Sequence, residues 1–369
     1  MNSGPDDMDD MDDPVEIELK LEYDPAQRER LTGSALLDAR GAERKLLIAT
    51  YFDTPDLLVH SAGYAVRIRK DGENQIQTVK ASASTAGALF VRGEWERPID
   101  EAKPILDDGA GPLARCLDAA TLGQVEPIFI SDVERLSGTI EHAGTAIEYS
   151  IDSGEVRAGQ RRAALSEIEL ELKSGSPQML FDLARSLNEE VPLRLGVRSK
   201  SGRGYALVKG GLSSAAKAEA IRLPRDMGAA DAFITIAGSC LKQYRLNETL
   251  MLETEAVEAV HQARVGLRRL RSAFTLFKPL FAGDDRAVLL GAELRWLAGE
   301  LGAIRDIDVL LPQLEGPRRA ALAAIRESHF HHLRNLLESS RVRLLPIELA
   351  EWLAIGSWKS GRRDRQLHE

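Results

Sequence analysis

Four segments of the chain place charged residues two positions apart. Because successive side chains of a β-strand point to opposite faces, residues at this spacing share one face. Three of the segments repeat carboxylates on that face, and the fourth pairs two guanidinium groups. The residues are Glu16, Glu18 and Lys20; Arg67 and Arg69; Arg92, Glu94 and Glu96; and Glu167, Glu169, Glu171 and Lys173.

Faces of this kind can hold metal ions and a polyanion together. Carboxylates bind hard cations such as Mg²⁺ or Mn²⁺, whereas arginine and lysine bind phosphate oxygens. One such strand alone is better explained as the solvated face of an edge strand. Repeated faces of one sign favour a binding site, and a sheet closed into a barrel would enclose them in a polar interior.

Alternation of apolar and polar residues dominates from residue 15 to about residue 173 and predicts roughly eight antiparallel strands. Glycine, proline, aspartate and serine separate these segments. Helical segments are predicted at residues 25–37, 111–120 and 177–190. This part of the chain, residues 14–210, is therefore expected to be a strand-rich domain with flanking helices.

The apolar period changes to the 3.6 residues of a helix after Gly210. Residues 211–224 are predicted to be a flexible linker, which would let the two halves act semi-independently. Residues 225–369 are predicted to be an all-α bundle, with helices at 229–252, 256–281, 286–301, 306–314, 318–339 and 346–353 that end at glycine or proline. The expected fold class is α+β.

Length and composition exclude several classes of protein. The 369 residues carry a net charge of −9 and suffice for two or three domains of ~150 residues. Six aspartates within residues 1–13 predict an acidic, disordered tail. Two cysteines without a CxxC pair indicate a reducing, cytoplasmic location. The sequence contains neither GxxxxGK(S/T) nor GxSxG, and it has no run of 18 apolar residues, so a P-loop NTPase and a membrane span are not expected.

Several motifs follow one another in order along residues 14–210. They are Glu16-x-Glu18-x-Lys20, Tyr51-Phe52-Asp53-Thr54-Pro55, Arg67-Ile68-Arg69, Thr78-Val79-Lys80, Arg135, Asp152, Glu167-Ile168-Glu169-Leu170-Glu171 and Ser199-Lys200-Ser201-Gly202-Arg203-Gly204-Tyr205. This set resembles the CYTH superfamily, the triphosphate tunnel metalloenzymes, in which ExExK is the first signature. The resemblance implies an eight-stranded antiparallel β-tunnel.

The resemblance also implies a metal-dependent hydrolase of inorganic triphosphate, with Mg²⁺ or Mn²⁺ as its cofactor. The implied catalytic residues are Glu16, Glu18 and Lys20. The implied metal ligands are Glu16 and Glu18, with Asp152, Glu167 and Glu169 opposite them and Glu171 towards the tunnel mouth. The implied triphosphate ligands are Lys20, Arg67, Arg69, Lys80, Arg92, Arg135 and Lys200.

The helix predicted at residues 256–281 carries a basic stripe. His261, Arg264, Arg268 and Arg271 recur at spacings of three or four and lack acidic i,i+4 partners. With Leu301-Gly302-Ala303-Ile304-Arg305-Asp306, this segment resembles the CHAD domain, a helical module that commonly follows CYTH and binds inorganic polyphosphate. The resemblance implies polyphosphate binding by these four residues. Lys242, Arg245 and Arg305 are expected to extend the basic surface. Residues 225–369 are expected to be a partial CHAD domain without its second helical half.

Other functions stay open at the level of the sequence. A class IV adenylate cyclase and a thiamine triphosphatase would use the same tunnel and metals. A polyphosphate-binding or targeting protein without catalysis is the alternative of a different class, although binding a polyanion needs no set of carboxylates. No specific nucleic acid and no membrane is expected as a partner.

Overall fold

The computed structural model describes residues 15–37, 41–72, 74–81, 84–86, 89–106 and 111–362. Among these residues, ten strands form one sheet whose described pairings are antiparallel. The strands are β1 (Val15–Tyr23), β2 (Glu43–Asp53), β3 (Tyr64–Asp71), β4 (Asn74–Ala81), β5 (Ser84–Ala86), β6 (Leu89–Pro98), β7 (Glu126–His142), β8 (Thr145–Ala158), β9 (Arg161–Ser174) and β10 (Leu193–Leu195). The predicted acidic tail, residues 1–13, lies outside the described residues.

The first strand closes the sheet because it pairs on both sides. Residues 18–22 of β1 pair with β9, and residues 15–19 pair with β6. Eight strands therefore form a ring in the order β1-β9-β8-β7-β2-β3-β4-β6, while the short strands β5 and β10 extend it at its edges. The predicted eight-stranded antiparallel tunnel is confirmed.

The walls of the barrel turn charged residues inward and apolar residues outward. In β1, Leu19 and Leu21 are buried among outer apolar side chains, whereas Glu18 and Lys20 line the interior. Glu18 and Lys20 are nevertheless only 3% and 1% exposed. Burial at this level makes each charge depend on an oppositely charged partner or a bound ion.

Among the described residues, five helices flank the barrel. They are α1 (Arg28–Thr32), α2 (Leu58–Ser61), α3 (Ala119–Leu122), α4 (Gln178–Glu190) and α5 (Lys200–Val208). The predicted helices near residues 25–37 and 111–120 are smaller than expected, since much of each is a 3₁₀ turn. α4 packs its apolar face on the outside of β1 and β9.

α5 packs closely against the barrel through Gly204. A Cβ atom at this position would lie 2.1 Å from a ring carbon of Phe129, which is closer than non-bonded atoms approach. Phe129 stacks on Tyr51 and meets Tyr205 edge to face, with ring centroids 4.4 and 5.2 Å apart. Because only glycine has no Cβ, residue 204 allows α5 to bring Lys200 to the barrel interior.

The second half of the chain is helical, as predicted. Its helices are α6 (Ala229–Glu253), α7 (Val257–Leu276), α8 (Asp285–Leu310), α9 (Gly316–Glu338) and α10 (Ser340–Ile355). No helix of the described chain combines the length and the apolar character needed to cross a bilayer.

Two predicted helix breaks do not occur. α8 continues through Gly302, where the predicted helices 286–301 and 306–314 were separated, and Pro346 lies inside α10. An interior glycine costs about 1 kcal/mol and an interior proline ~3 kcal/mol. Around Pro346, the side chains of Val342, Ile347 and Leu349 are completely buried, and each contributes ~1.5–3 kcal/mol. Tertiary burial therefore outweighs the local preference.

The two halves share one apolar core. It includes Leu180 and Phe181 of α4 together with Phe233 of α6 and Leu349 and Trp352 of α10. Residues between α5 and α6 are irregular, and one of them, Ala216, exchanges two backbone hydrogen bonds with the side chain of Asn247, at 3.0 and 2.9 Å.

Charged contacts also cross between the halves. Arg194, at β10, donates to Glu248 of α6 at 2.7 Å, and the buried Arg245 donates to the carbonyl of Leu195 at 2.9 Å. At a second point, Glu351 of α10 accepts from Arg185 of α4 at 2.7 Å.

Candidate active site

The barrel encloses a cavity of about 520 Å³ lined mainly by charged side chains. Each of the eight ring strands contributes at least one lining residue, such as Tyr51 of β2, Lys80 of β4 and Arg135 of β7. The lining also includes Ser199, Lys200 and Ser201, which belong to the start of α5. The site is therefore assembled from the barrel wall and one helix end.

Three carboxylates form a cluster on two adjacent strands. Asp152 of β8 and Glu167 and Glu169 of β9 each offer an oxygen within 4.8 Å of the others. The strand register explains the cluster, because Asp152 lies directly opposite Glu167 and the neighbouring pair is Ser150 and Glu169. Asp152 and Glu167 are fully buried.

Three cationic groups surround this cluster. The ammonium of Lys200 lies 2.6 Å from Asp152, 2.5 Å from Glu167 and 2.7 Å from Glu169. The guanidinium of Arg135 donates to both oxygens of Asp152, at 2.7 and 2.6 Å, and to Glu169 at 2.8 Å. Lys20 pairs with Glu167 at 3.2 Å and also contacts Glu169. We call the three carboxylates the acid cluster, and we call Lys20, Lys200 and Arg135 its cations.

The pKa values in this group move in opposite directions. Burial raises the pKa of Glu169, but attraction by Lys20, Lys200 and Arg135 outweighs it and holds that pKa well below its usual value. Burial also raises the pKa of Glu167, and there it prevails, helped by repulsion from Glu169. Glu167 is thus the carboxylate whose negative charge is least compensated.

The acid cluster fits a divalent metal ion. Oxygen donors from three carboxylates are the ligands that Mg²⁺ and Mn²⁺ prefer. Within the described residues, the buried Oε2 atom of Glu167 has no hydrogen-bond partner. Glu18, whose carboxylate lies 2.9 Å from Lys20, adds a fourth acid beside three cations. A bound cation would satisfy the orphaned oxygen and relieve the repulsion between the carboxylates.

A second charged network lies on the wall formed by β3, β4 and β6. Lys80 pairs with Glu16 at 3.2 Å and with Glu94 at 2.7 Å. Glu96 accepts a hydrogen bond from the hydroxyl of Thr78 at 2.8 Å. This network joins Glu16 of β1 to β4 and β6, on the side where β1 closes the ring.

The two arginines of β3 are held more loosely than the groups of the acid cluster. Arg67 lies 3.7 Å from Glu94, and both Arg67 and Arg69 lie 3.9 Å from Glu96, which are ion-pair distances too long for hydrogen bonds. Burial and the adjacent Arg67 lower the pKa of Arg69, although an arginine stays charged. These guanidinium groups therefore retain donors for an anion inside the barrel.

The structure brings together most of the predicted site residues but arranges them differently. The carboxylates were expected on facing walls, with Glu16 and Glu18 opposite the later acids. Instead β1, β9 and β8 are consecutive strands, because β1 inserts between β9 and β6. Glu16 and Glu171 line the same cavity but lie outside the acid cluster, paired with Lys80 and with Lys173. The side chain of Arg92 lies outside the described part of the structure.

Several lining residues were not predicted from the sequence. Glu148 and Ser150 share their face of β8 with Asp152, so the spacing of two residues could have identified them. Tyr51 of β2 also lines the cavity. Ser199 and Ser201 flank Lys200 in the quoted motif, but their place in the lining depends on how α5 docks.

Asp53 connects three parts of the barrel domain. It is completely buried, and its carboxylate accepts hydrogen bonds from the backbone N–H groups of Thr54, Val59 and His60 at 2.7, 2.8 and 2.9 Å. It also accepts from the hydroxyl of Tyr205 at 2.9 Å. Asp53 therefore ties the end of β2 and the helix α2 to α5, which carries Lys200.

The predicted basic stripe lies on α7 with its side chains partly or fully exposed. Within the described chain, Arg264, Arg268 and Arg271 form no ion pair with a carboxylate. The expected extension of this surface is only partly realised. Lys242 pairs with Glu219 at 2.9 Å, and Arg245 is buried against Glu248, so neither adds to an exposed basic surface.

Among curated proteins, the inorganic triphosphatase of Haemophilus influenzae is 32% identical over 196 residues, which are 52% of this chain and 54% of that protein. The chain thus spans about half the length of this curated relative. Among solved structures, a Hippeastrum protein named as an adenylyl cyclase with a dominant triphosphatase activity is 19% identical, with a TM-score of 0.40 over 53% of this chain and 96% of its own. The CHAD domain of Ricinus communis is 31% identical, with a TM-score of 0.37 over 42% of this chain and 56% of its own.

Two family models match the chain. The CHAD domain matches residues 235–368, and the CYTH domain matches residues 15–205, the part that contains the closed barrel and its charged interior. The CYTH match covers more than half of the 369 residues. The chain therefore belongs to the CYTH family, and a CHAD domain follows its tunnel.

Proposed function

We propose that the tunnel hydrolyses inorganic triphosphate to diphosphate and phosphate with the aid of a divalent metal ion. The observation that supports this most is the juxtaposition, in one enclosed cavity, of a carboxylate cluster with a set of arginine and lysine side chains. Neither set alone defines the reaction. Together they provide a metal-binding part and a polyanion-binding part a few side chains apart.

The substrate-binding role falls to the cations of the barrel wall. Arg67 and Arg69 can each donate two parallel hydrogen bonds to phosphate oxygens, because their contacts to Glu94 and Glu96 are long. Lys80 supplies a point charge from the next strand. These groups would neutralise the phosphate charges and align the chain along the tunnel axis, which lowers the barrier by positioning and electrostatic stabilisation.

The metal-binding role falls to Asp152, Glu167 and Glu169, with Glu18 beside them. A divalent ion held there supplies charge neutralisation at phosphate oxygens and lowers the pKa of water. Water attacks the terminal phosphorus and loses a proton to the solvent, the anhydride P–O bond breaks, and diphosphate departs with that electron pair. Lys20, Lys200 and Arg135 compensate the carboxylates before binding, and they line the cavity that the substrate would occupy.

The character of the cavity favours an inorganic substrate over a nucleotide. Among its described lining residues, Ala65 and Tyr51 are the ones without a charge or an aliphatic hydroxyl. A nucleobase needs an apolar or aromatic surface against which to stack. The name of the Haemophilus influenzae relative points in the same direction.

The test is a comparison of substrates. Phosphate release should be fastest from triphosphate and slower from ATP and thiamine triphosphate, and it should stop when EDTA removes Mg²⁺ or Mn²⁺. Cyclic AMP should not form from ATP. A preference for ATP with cyclic AMP as the product would replace this proposal by the cyclase alternative.

For the helical half we propose binding of inorganic polyphosphate on α7 through His261, Arg264, Arg268 and Arg271. These arginines lack acidic partners among the described residues, and a surface of one sign attracts a polyanion. Because such binding releases counterions, retention of polyphosphate should weaken steeply as salt rises. Arg268→Gln combined with Arg271→Gln should reduce retention, and unchanged retention would refute the proposal.

A further inference from the structure

A second cavity lies between the barrel and the helical half. It measures about 710 Å³ and is bounded by α2 and α5, by the irregular segment after α5, and by α6. Its lining residues include His60, Lys209, Arg222 and Lys242. We call this cavity the interdomain cleft.

The interdomain cleft adjoins the tunnel. Ala65 and Lys80 on the barrel wall and Ser199 and Ser201 at the start of α5 line both cavities. On β3, Ala65 borders the cleft, Arg67 follows two residues later in the tunnel, and Arg69 follows two residues after that. The four-residue step from Ala65 to Arg69 therefore spans about 13 Å, at about 3.3 Å per residue. A linear ligand lying along β3 would therefore leave the tunnel into the cleft.

The lining of the cleft is basic. Arg198 is partly buried, whereas Lys209 and Arg222 are exposed. Within the described residues, none of these three side chains forms an ion pair. The acidic lining residue Glu219 is engaged by Lys242, with an N–O distance of 2.9 Å.

Burial and the nearby Arg203 lower the pKa of Arg198, so an anion beside it would relieve both effects. The aromatic residues of the cleft are already engaged. His60 stacks on Tyr205 at a centroid distance of 3.9 Å, and the hydroxyl of Tyr205 donates to Asp53. The cleft thus offers positive charge to an anion, whereas the rings of His60 and Tyr205 are not free to stack on a nucleobase.

We infer that the interdomain cleft holds the part of a linear inorganic polyphosphate that extends beyond a triphosphate lying in the tunnel. This inference rests on the proposed function of the tunnel and adds a specificity for chain length to it. Chains longer than triphosphate would gain contacts with Arg198, Lys209 and Arg222 and would enter the tunnel from the side of the helical half.

The test measures binding separately from turnover. Full-length protein is titrated calorimetrically with triphosphate, tetraphosphate and size-fractionated longer polyphosphate, without divalent metal. Affinity should rise with chain length in the unmodified protein. In the double variant Lys209→Gln, Arg222→Gln this rise should shrink about tenfold, as expected when charge-assisted contacts are lost. Both residues are exposed, so their replacement should leave the fold intact.

A matched control uses Lys217→Gln, Arg225→Gln, two exposed positions of the same segment that do not line the cleft. This control should keep the full dependence on chain length. The series is repeated in Arg268→Gln, Arg271→Gln protein, which separates capture of long chains by α7 from binding in the cleft. Equal dependence on chain length in the cleft variant and in the control would overturn the inference.

Hydrolysis of the same substrates distinguishes this inference from the proposed function. A protein that binds longer chains more tightly but releases no phosphate would contradict the proposed function and leave the cleft assignment standing. If the cleft variant lowers the affinity for ATP but not for tetraphosphate, the cleft binds a nucleotide and the inference is wrong.

Discussion

Three cations converge on Glu169, since Lys20, Lys200 and Arg135 all contact its carboxylate. Glu169→Gln keeps the shape and removes the charge. We expect the hydrolysis rate to fall at least 100-fold, because both the metal and the surrounding cations lose a ligand. Phosphate release measured across a range of Mg²⁺ concentrations tests this, and Glu155→Gln, an acid of β8 paired with Arg157 at 3.4 Å, is the control. Unchanged rate and metal dependence would exclude Glu169 from the site.

Arg69 is expected to bind substrate and not metal. Its ion-pair distance to Glu96 is 3.9 Å, so its donors are available to a phosphate. Arg69→Ala should lower kcat/KM for triphosphate by ~2–3 kcal/mol of lost transition-state stabilisation, the value of a charge-assisted contact. Steady-state kinetics measure this, with Arg44→Ala as the control because Arg44 is 61% exposed on β2. An equal loss in both variants would indicate general damage to the barrel.

The spacing of two residues was sufficient to predict which charged side chains face the interior. It placed Glu16, Glu18 and Lys20 on one face of β1, and all three line the cavity. It could not predict their partners, which depend on strand order. β1 lies between β9 and β6, so Glu16 meets Lys80 while Lys20 meets Glu169. This arrangement follows from ring closure and not from any local pattern.

At the level of elements, the connection from β2 through α2 to α5 depends on Asp53. Asp53→Ala leaves three backbone donors and the hydroxyl of Tyr205 without their acceptor in a buried place. We expect the free energy of unfolding to fall by ~3 kcal/mol or more. Tyr205→Phe, which removes one of these bonds, should cost only ~1 kcal/mol.

Urea unfolding measures the free energy of unfolding of Asp53→Ala and Tyr205→Phe. Asp56→Ala, an exposed aspartate three residues further along, is the matched control and should change the stability little. If Asp53→Ala is no more harmful than Asp56→Ala, the carboxylate does not hold α5 in place.

Elements with clean alternation were predicted and elements with apolar runs were missed. Residues 64–70 and 74–81 alternate in the sequence, and they form β3 and β4 almost to the residue. β2 was not identified because Leu46, Leu47 and Ile48 are all apolar, although Leu46 is 72% exposed and Leu47 only 6%. The prediction divided α8 at Gly302 and started α10 only at Pro346, because a sequence shows a breaker but not the burial around it.

At the level of the whole molecule, Glu351 couples stability to pH. Burial raises its pKa, but hydrogen bonds from Arg286, Arg185 and Gln178 outweigh this and lower the pKa below its ordinary value of 4.5. A carboxylate with a lowered folded pKa stabilises the protein fully above the unfolded pKa, and this contribution is lost as pH falls through the folded value. Glu351→Gln should therefore be less stable at neutral pH and lose less stability below about pH 4.5.

Thermal unfolding between pH 3 and pH 7 tests this expectation. Glu189→Gln, an exposed acid at the end of α4, is the control and should follow the unmodified protein. Parallel curves for Glu351→Gln and the unmodified protein would show that the contact between α4 and α10 does not titrate as argued.

The shared core bears on the prediction that the two halves act semi-independently. An ion pair between the largely buried Arg194 and Glu248 crosses the boundary between the halves. The apolar cluster that contains Phe181 and Trp352 crosses it as well. A fragment ending at residue 212 would expose these groups. Independent action of the halves stays a prediction, and the fragment is expected to be less stable than the full chain.

The closing of the ring by β1 has a consequence for how the protein folds during its synthesis. The partners of β1 are residues 89–93, 167–171 and 193–195, so β1 is synthesised long before the last of its neighbours. Contacts so distant along the chain fold slowly, and an unpaired strand edge invites aggregation in the interval. Repeated charges on one face counter such association. Glu16, Glu18 and Lys20 would thus keep the nascent chain soluble on the ribosome before they line a finished tunnel.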